Sequence, residues 1–543
     1  MSILAEVSTE PVPADAMAKK KKKTDEPAPA PAPARAQILA AVDIGTNSIR
    51  MAVGQVLEDG SLQILERLQR PVRLGQDTFR RGRLRAKTMS EAVSILREFR
   101  AAMDPYQPDR FRAVATSAVR EASNGETFID RAWMATGMEI SVISVAEESR
   151  LTVGAVSRVA RELLETRKSA LVVQVGGGTT VLNLLSEGRI RTTQSLPIGA
   201  IRQQEILAIR SEPAAQAARL IRHHVSGALS TFRHLLPLKK IQTFVAVGAD
   251  MRWAARQLTK TKDAEGLWRI REKDFAGLIE QCHGLSADRM AHKHGLPFLD
   301  AETLNPAMMI HQTLLEATRA KIIIVPEVSM LDGLLGDLAT ESVGALDESV
   351  IQQTIESALA IVAKYGVEEN HALRVSELAV RLYDLFEKEH RLDPRHRLLL
   401  QVAAILHEIG TFVSSRAYHK HTLYLVSNSE VFGLTHEELP IVANVARYHR
   451  RSRPKPSHLP YMQLDREKRM VVNKLAALLR VADSLDFGRT QQIESDDLRI
   501  EAEALWVRVP RGADLTLEQR SLRTMSDVFQ DIYGLEVRLE SGD

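Results

Sequence analysis

Cysteine is nearly absent from this chain of 543 residues: Cys282 stands alone. One thiol excludes an internal disulfide framework and a cysteine-based metal cluster. It fits a reducing compartment, so a cytosolic protein is the expectation. Long apolar runs are missing too, and no stretch reaches the roughly 18 apolar residues of a membrane helix. The lysine run Lys19–Lys23 is followed by the Pro-Ala repeat Pro27–Ala34, not by the apolar segment of about 7–15 residues that a secretory leader needs. Charge of one sign is also scarce. The formal net charge of +3 is close to neutral for this length and leaves no global field to mark a general nucleic-acid binder. Any basic function must be local.

At roughly 100–200 residues per domain, the length implies three or four domains. Residues 1–36 can bury nothing and read as a Lys/Pro-Ala tail. From Gln37 the texture is globular: ILAAVDIG and SIRMAVGQVLEDGSLQILERLQRPVRL read as strand, tight turn, strand, Asp-Gly turn, strand. Helical spacing in KTMSEAVSILREFRAAM follows, then the strand FRAVAT, a helix near Thr127–Met134 and the strand EISVIS. The plan repeats in SALVVQVGGGTTVLNLLSEGRIRTTQSLPIG, the helix QAARLIRHHVSGAL and the strand QTFVAVGAD. That order predicts a duplicated α/β unit over 37–160 and 161–340. Residues 346–490 carry helical spacing nearly throughout, and 491–543 read as strand, helix, strand, a small α/β cap.

Two turns stand out. DIGTNS and QVGGGTT each follow an apolar strand and supply glycines with small hydroxyl or amide residues, where converging backbone N–H groups can hold phosphate oxygens. A lone glycine hairpin is usually only a turn. Two at the same place in repeated halves are expected to face each other across a cleft.

These turns, with VATSAVREASNG, SVAEESRL, SLPIGA, AAILHEIG and ARYHRR, resemble the exopolyphosphatase and guanosine pentaphosphate phosphohydrolase (Ppx/GppA) family of the actin and sugar kinase superfamily, over about Ile38 to Asp543. The resemblance implies duplicated ribonuclease H-like α/β domains, an all-α HD-like domain and a C-terminal α/β cap. It also implies release of terminal phosphate from inorganic polyphosphate, guanosine pentaphosphate as a second substrate, Mg²⁺ as cofactor and a homodimer. No stable nucleic-acid partner and no membrane are expected. Asp43 and Glu148 would hold the metal, and Gly45, Thr46, Asn47, Ser48, Gly176, Gly177, Gly178 and Thr179 would cradle phosphate. Arg120 would bind phosphate through its planar fork, the alternative being a surface pairing with Glu121. The general base would lie in the pair Glu147 and Glu148, with Glu148 preferred. Acidic residues in a first helical turn also complement the helix dipole, whatever their chemistry.

The sequence departs from the family pattern at two acidic positions of the second turn, which hold Gln174 and Val181. Neither brings charge to a metal ion. VAVGADMR likewise replaces the glycine pair expected around Gly248, which weakens nucleotide-base recognition. A weakly active or inactive polyphosphate-binding or pppGpp-binding regulator is therefore the alternative. A second alternative is a metal-dependent HD phosphohydrolase built on His371, His407, His421, His449 and Asp483. Glu408 there is one methylene longer than the aspartate such a centre uses, so a structural relic is the expectation. Arg416, His419, Lys420, Arg447, Arg450, Arg451 and Arg453 could line a groove that draws a long polyanion to the cleft.

Overall fold

The computed structural model describes residues 37–541 apart from 58, 208, 210–211, 213, 232–235, 343–347, 451, 502–503 and 510. The expected N-terminal tail lies outside the described residues.

β1 (Ile38–Ile44) is buried along almost its whole length, as a central strand covered on both faces must be. It pairs antiparallel with β2 (Ser48–Val56), and β2 pairs antiparallel with β3 (Leu62–Pro71). On its other side β1 runs parallel to β4 (Arg110–Ala115), which is followed by parallel β5 (Ile140–Val142). The order is β3-β2-β1-β4-β5. β3, at the edge, alternates half-buried and exposed residues, the period of a strand with one wet face.

The second sheet repeats this plan. β6 (Ala170–Val175), β7 (Thr180–Ser186) and β8 (Arg189–Leu196) form the meander; β9 (Thr243–Val247) and β11 (Ile322–Val325) add in parallel. β10 (Trp268–Arg271) closes the far edge antiparallel to β11 and has no counterpart in the first sheet. The two sheets are thus mixed halves of one design, as the repeated pattern predicts.

The two halves are not separate along the sequence. The helix Met330–Ser342 follows the second sheet, yet its Leu331, Leu334 and Leu335 share a core with Leu39, Ala41 and Val114 of the first. It packs against the helix Val145–Val159 through Gly333, where a Cβ would stand 2.1 Å from the Leu151 carbonyl oxygen. A division near residue 160 is therefore crossed by packing.

The helices Glu348–Lys364, Glu369–Leu385, Pro394–Leu406, Glu438–Tyr448 and Arg466–Leu485 enclose a second large core. The C-terminal strands β12 (Leu498–Glu501), β13 (Ala504–Val509) and β14 (Glu536–Ser541) form a small sheet of order β12-β13-β14. Their Leu498, Leu505 and Val507, with Leu522 and Phe529, belong to the same core as the helices. The expected cap completes that core and has none of its own. Phe432, from the helical part, packs with Val153 and Val156 of the Val145–Val159 helix. No helix among the described residues is long and apolar enough to cross a membrane.

Candidate active site

The two glycine turns are built alike. The Gly45 N–H donates to the Ser48 carbonyl at 3.0 Å, and the Gly176 N–H donates to the Thr179 carbonyl at 2.8 Å. Their carbonyls turn outward: Thr46 accepts from the Gly75 N–H and Asn47 from the Val72 N–H, while Gly177 accepts from the N–H groups of Ile201 and Arg202. The N–H groups of Thr46, Asn47, Gly177 and Gly178 have no main-chain acceptor among the described residues. Successive unpaired N–H groups of this kind form a concavity for anions.

The turns meet as well as face each other. A Cβ on Gly177 would lie 2.7 Å from the Thr46 Cβ, and the Thr46 hydroxyl is 3.3 Å from that of Ser117. Thr46, Ser48 and Thr179 are buried. The Asn47 side-chain amide donates to the Leu299 carbonyl at 3.0 Å, so it braces the turn against the helix Phe298–Glu316.

Ser144 caps the helix Val145–Val159 by accepting the Glu147 N–H at 3.1 Å, which puts Glu147 and Glu148 in the first turn. From there they diverge. Glu147 forms an ion pair with Arg112, on the side of the helix where Asp337 pairs with Arg150. Glu148 is buried and stands 4.0 Å from Arg120 Nη1, its Oε2 without a hydrogen bond. Asp43, at the end of β1, likewise has a buried Oδ1 without a partner, and its Oδ2 is 3.8 Å from Arg50 Nη1. Burial pushes the Glu148 carboxyl up to about 7; Arg120 opposes this, while Asp43 and Glu430 add to it. Burial also raises Asp43, against the pull of Arg50.

Arg120 Nη1 donates to the Ile143 carbonyl at 2.7 Å. The alternative pairing with Glu121 is not made, because Glu121 is taken by Arg202 Nη2 at 2.6 Å from both its oxygens. Gln174 accepts from the Thr152 hydroxyl at 2.5 Å and donates from Nε2 to Glu148 Oε1 at 3.4 Å. Val181 lies directly opposite Gln174 in the β6–β7 register and is buried.

Glu430 escaped the sequence reading, as did Lys364 and Arg50. Glu430 lies within Coulombic reach of both Glu148 and Arg120; desolvation by surrounding protein atoms raises its carboxyl, against Arg120 and Lys364, although the residue is exposed at the surface. No motif marks it in SNSEVFG; the docking of Phe432 brings it to the cleft. The two orphaned carboxylate oxygens, Asp43 Oδ1 and Glu148 Oε2, are the hard donors a small divalent cation takes, so the residues present fit Mg²⁺.

In the helical part, His371 Nδ1 is 2.8 Å from Asp486 Oδ2, and the Nε2 atoms of His371 and His407 are 3.5 Å and 3.3 Å from Asp483 Oδ1. His407 Nδ1 is 2.6 Å from the Ala404 carbonyl oxygen, and His449 packs edge-on against His407. His371, His407 and Glu408 offer ligand atoms within 4.8 Å of one another. The Glu408 carboxylate, however, receives Arg489 Nη2 at 2.9 and 2.7 Å. His421 is half-buried on the helix Tyr418–Ser427.

The basic residues are dispersed in their contacts. Arg416 and Lys420 are exposed, whereas His419 is buried and cannot offer a polymer its charge. Arg447 lies over the Tyr448 ring and Arg450 over Tyr418. Arg453 is neutralised by Asp527, at 2.8 Å, and by Asp531. Arg451 lies outside the described residues.

Where the two α/β halves meet, two turns with unpaired N–H groups touch each other next to the buried carboxylates Asp43 and Glu148, an arrangement suited to holding phosphate. Residues 55–342 match the Ppx/GppA phosphatase family, and residues 352–525 match domain III of the Ppx/GppA phosphatases; the chain belongs to this family. Among solved structures, an exopolyphosphatase from Cytophaga hutchinsonii is 21% identical, with 57% of this chain and 99% of that one covered at a TM-score of 0.51. An exopolyphosphatase-like protein is 22% identical over 57% of this chain and 99% of that one, at a TM-score of 0.50. Both likenesses concern the fold.

Proposed function

We propose that this protein hydrolyses the terminal phosphoanhydride bond of inorganic polyphosphate, with guanosine pentaphosphate as a second substrate. One observation carries the reading: four unpaired N–H groups lie on two touching turns, the first of which follows Asp43, and Asp43 and the buried Glu148 nearby each keep a carboxylate oxygen without a partner. The turns and Arg120 hold the terminal phosphoryl oxygens, and the Glu148 carboxylate takes a proton from the attacking water. Water oxygen bonds to the terminal phosphorus as the bridging P–O bond breaks, and the shortened chain leaves as an anion. Asp43 and Glu148 would hold Mg²⁺, which supplies charge neutralisation on the phosphate oxygens.

Gln174 and Val181, uncharged and directly opposite each other, favour a second reading: a polyphosphate or pppGpp sensor with little turnover. Phosphate release from long-chain polyphosphate with Mg²⁺ separates the two, since tight binding without release would leave only the sensor. The histidine cluster we assign a structural role, because Glu408 is spent on Arg489 and the remaining acids on histidines. With Mg²⁺ held in excess, a chelator selective for transition metals should leave the Tm unchanged; a clear fall would show that the cluster holds a metal. The proposal includes a cytosolic location, which the single buried thiol fits, and a homodimer, to be checked by sedimentation.

A further inference from the structure

The side chain at position 174 has a definite orientation, and its chemistry follows from its neighbours. Thr152 is fully buried, and its hydroxyl donates to Gln174 Oε1 at 2.5 Å. With that oxygen engaged, the amide NH₂ is the end left to face Glu148, and Nε2 stands 3.4 Å from Glu148 Oε1. Thr152 follows Glu148 by four residues on one helix, so both project from the same face, a turn apart. Gln174 reaches across to them from the end of β6. Its cross-strand neighbours there, Val181 and Val247, are apolar. A closed set results: hydroxyl to amide oxygen, amide nitrogen to carboxylate, and the helix backbone joining the two ends.

A glutamine so held offers a metal ion no charge, and one lone pair of its single acceptor atom already serves Thr152. It is a donor fixed in direction. A buried carboxylate with one oxygen tethered by such a donor keeps the other free, and Glu148 Oε2 is the oxygen without a partner. A bond of 3.4 Å is long, and catalytic hydrogen bonds commonly tighten when substrate binds.

We propose that Gln174 is a positioning residue: oriented by Thr152, its amide holds Glu148 Oε1 and so fixes the direction in which the free Oε2 is presented to the reacting groups. The inference rests on the hydrolytic reading above. It makes the uncharged residue at 174 a working part of the site and not merely a lost carboxylate.

The test is steady-state hydrolysis of long-chain polyphosphate by the wild type and by Thr152→Val, Thr152→Ser, Gln174→Met and Gln174→Asp, each first checked for an unchanged Tm. Thr152→Val, which keeps the shape and removes the donor, should lower kcat about tenfold with KM within about twofold, and Thr152→Ser should restore most of the rate. Gln174→Met should lower kcat at least as much. Gln174→Asp should do the same, having neither reach nor a donor. Wild-type kcat in both Thr152→Val and Gln174→Met would overturn the inference while leaving the hydrolase reading intact. Faster turnover with a steeper Mg²⁺ requirement in Gln174→Asp would overturn it in favour of a metal-facing position. A folded wild type that binds polyphosphate and releases no phosphate would overturn the hydrolase reading, and the inference with it.

Discussion

Arg120 Nη1 stands 4.0 Å from Glu148 Oε2 while donating to the Ile143 carbonyl at 2.7 Å. A carbonyl anchor fixes the guanidinium beside Glu148 and leaves its remaining donors free for the phosphate oxygens of the proposed substrate. Glu147, one residue earlier, is held by Arg112 instead.

That divergence separates the two glutamates by experiment. Glu148→Gln should lower kcat at least about 100-fold with ligand affinity retained, the scale of a lost general base. Glu147→Gln should leave kcat within about threefold and destabilise the fold by about 1–3 kcal/mol, by weakening the pairing of Arg112 and leaving it only the more distant Asp337. Stopped-flow phosphate release with parallel thermal melts reads both. Inactivation by Glu147→Gln alone would move the base to that residue.

The Glu148 carboxyl titrates near 7 in the folded protein against 4.5 ordinarily, which ties stability to pH. The folded state keeps a proton there that the unfolded chain releases, so stability falls as pH rises from about 4.5 to about 7. Glu148→Gln should remove this slope and stabilise the protein at pH 8 by up to about 3 kcal/mol. Mg²⁺ competes with that proton, so its apparent affinity should strengthen as pH rises through about 7. A pH-independent Mg²⁺ affinity by calorimetry would take Glu148 out of the cation site.

Gly177→Ala tests the contact between the turns. Its Cβ would meet Thr46 Cβ and Cγ2 at 2.7 and 2.8 Å, so the turns must part and their N–H groups lose convergence. We expect KM for polyphosphate to rise about tenfold, with partial recovery on adding Thr46→Ser, which removes the methyl group. An unchanged KM in the single variant would show that these N–H groups do not hold substrate.

A groove for long chains should depend on exposed, unpaired cations. Arg416→Ala with Lys420→Ala should weaken binding of long polyphosphate and flatten its salt dependence by fewer released counterions, with pppGpp little affected. Arg453→Ala should change neither, since Asp527 and Asp531 already neutralise that charge. Titrations at several salt concentrations decide it; equal losses for long and short ligands would point to an indirect effect on the fold.

What the sequence by itself determined is local. Apolar runs ending in glycine turns are readable because a strand's burial and a turn's backbone freedom are set by a few adjacent residues. Their repetition predicted two sheets of one design, which β3-β2-β1-β4-β5 and its counterpart display. Tertiary structure decided the rest. Neighbours on a helix point about 100° apart, so two adjacent glutamates look equivalent as letters and still face different partners, Arg112 and Arg120. The amide of Gln174 acquired its direction from Thr152, the helix Met330–Ser342 crossed back onto the first sheet, and Glu430 reached the cleft behind Phe432. Each of these depends on contacts between residues far apart in the chain, which no window of sequence contains.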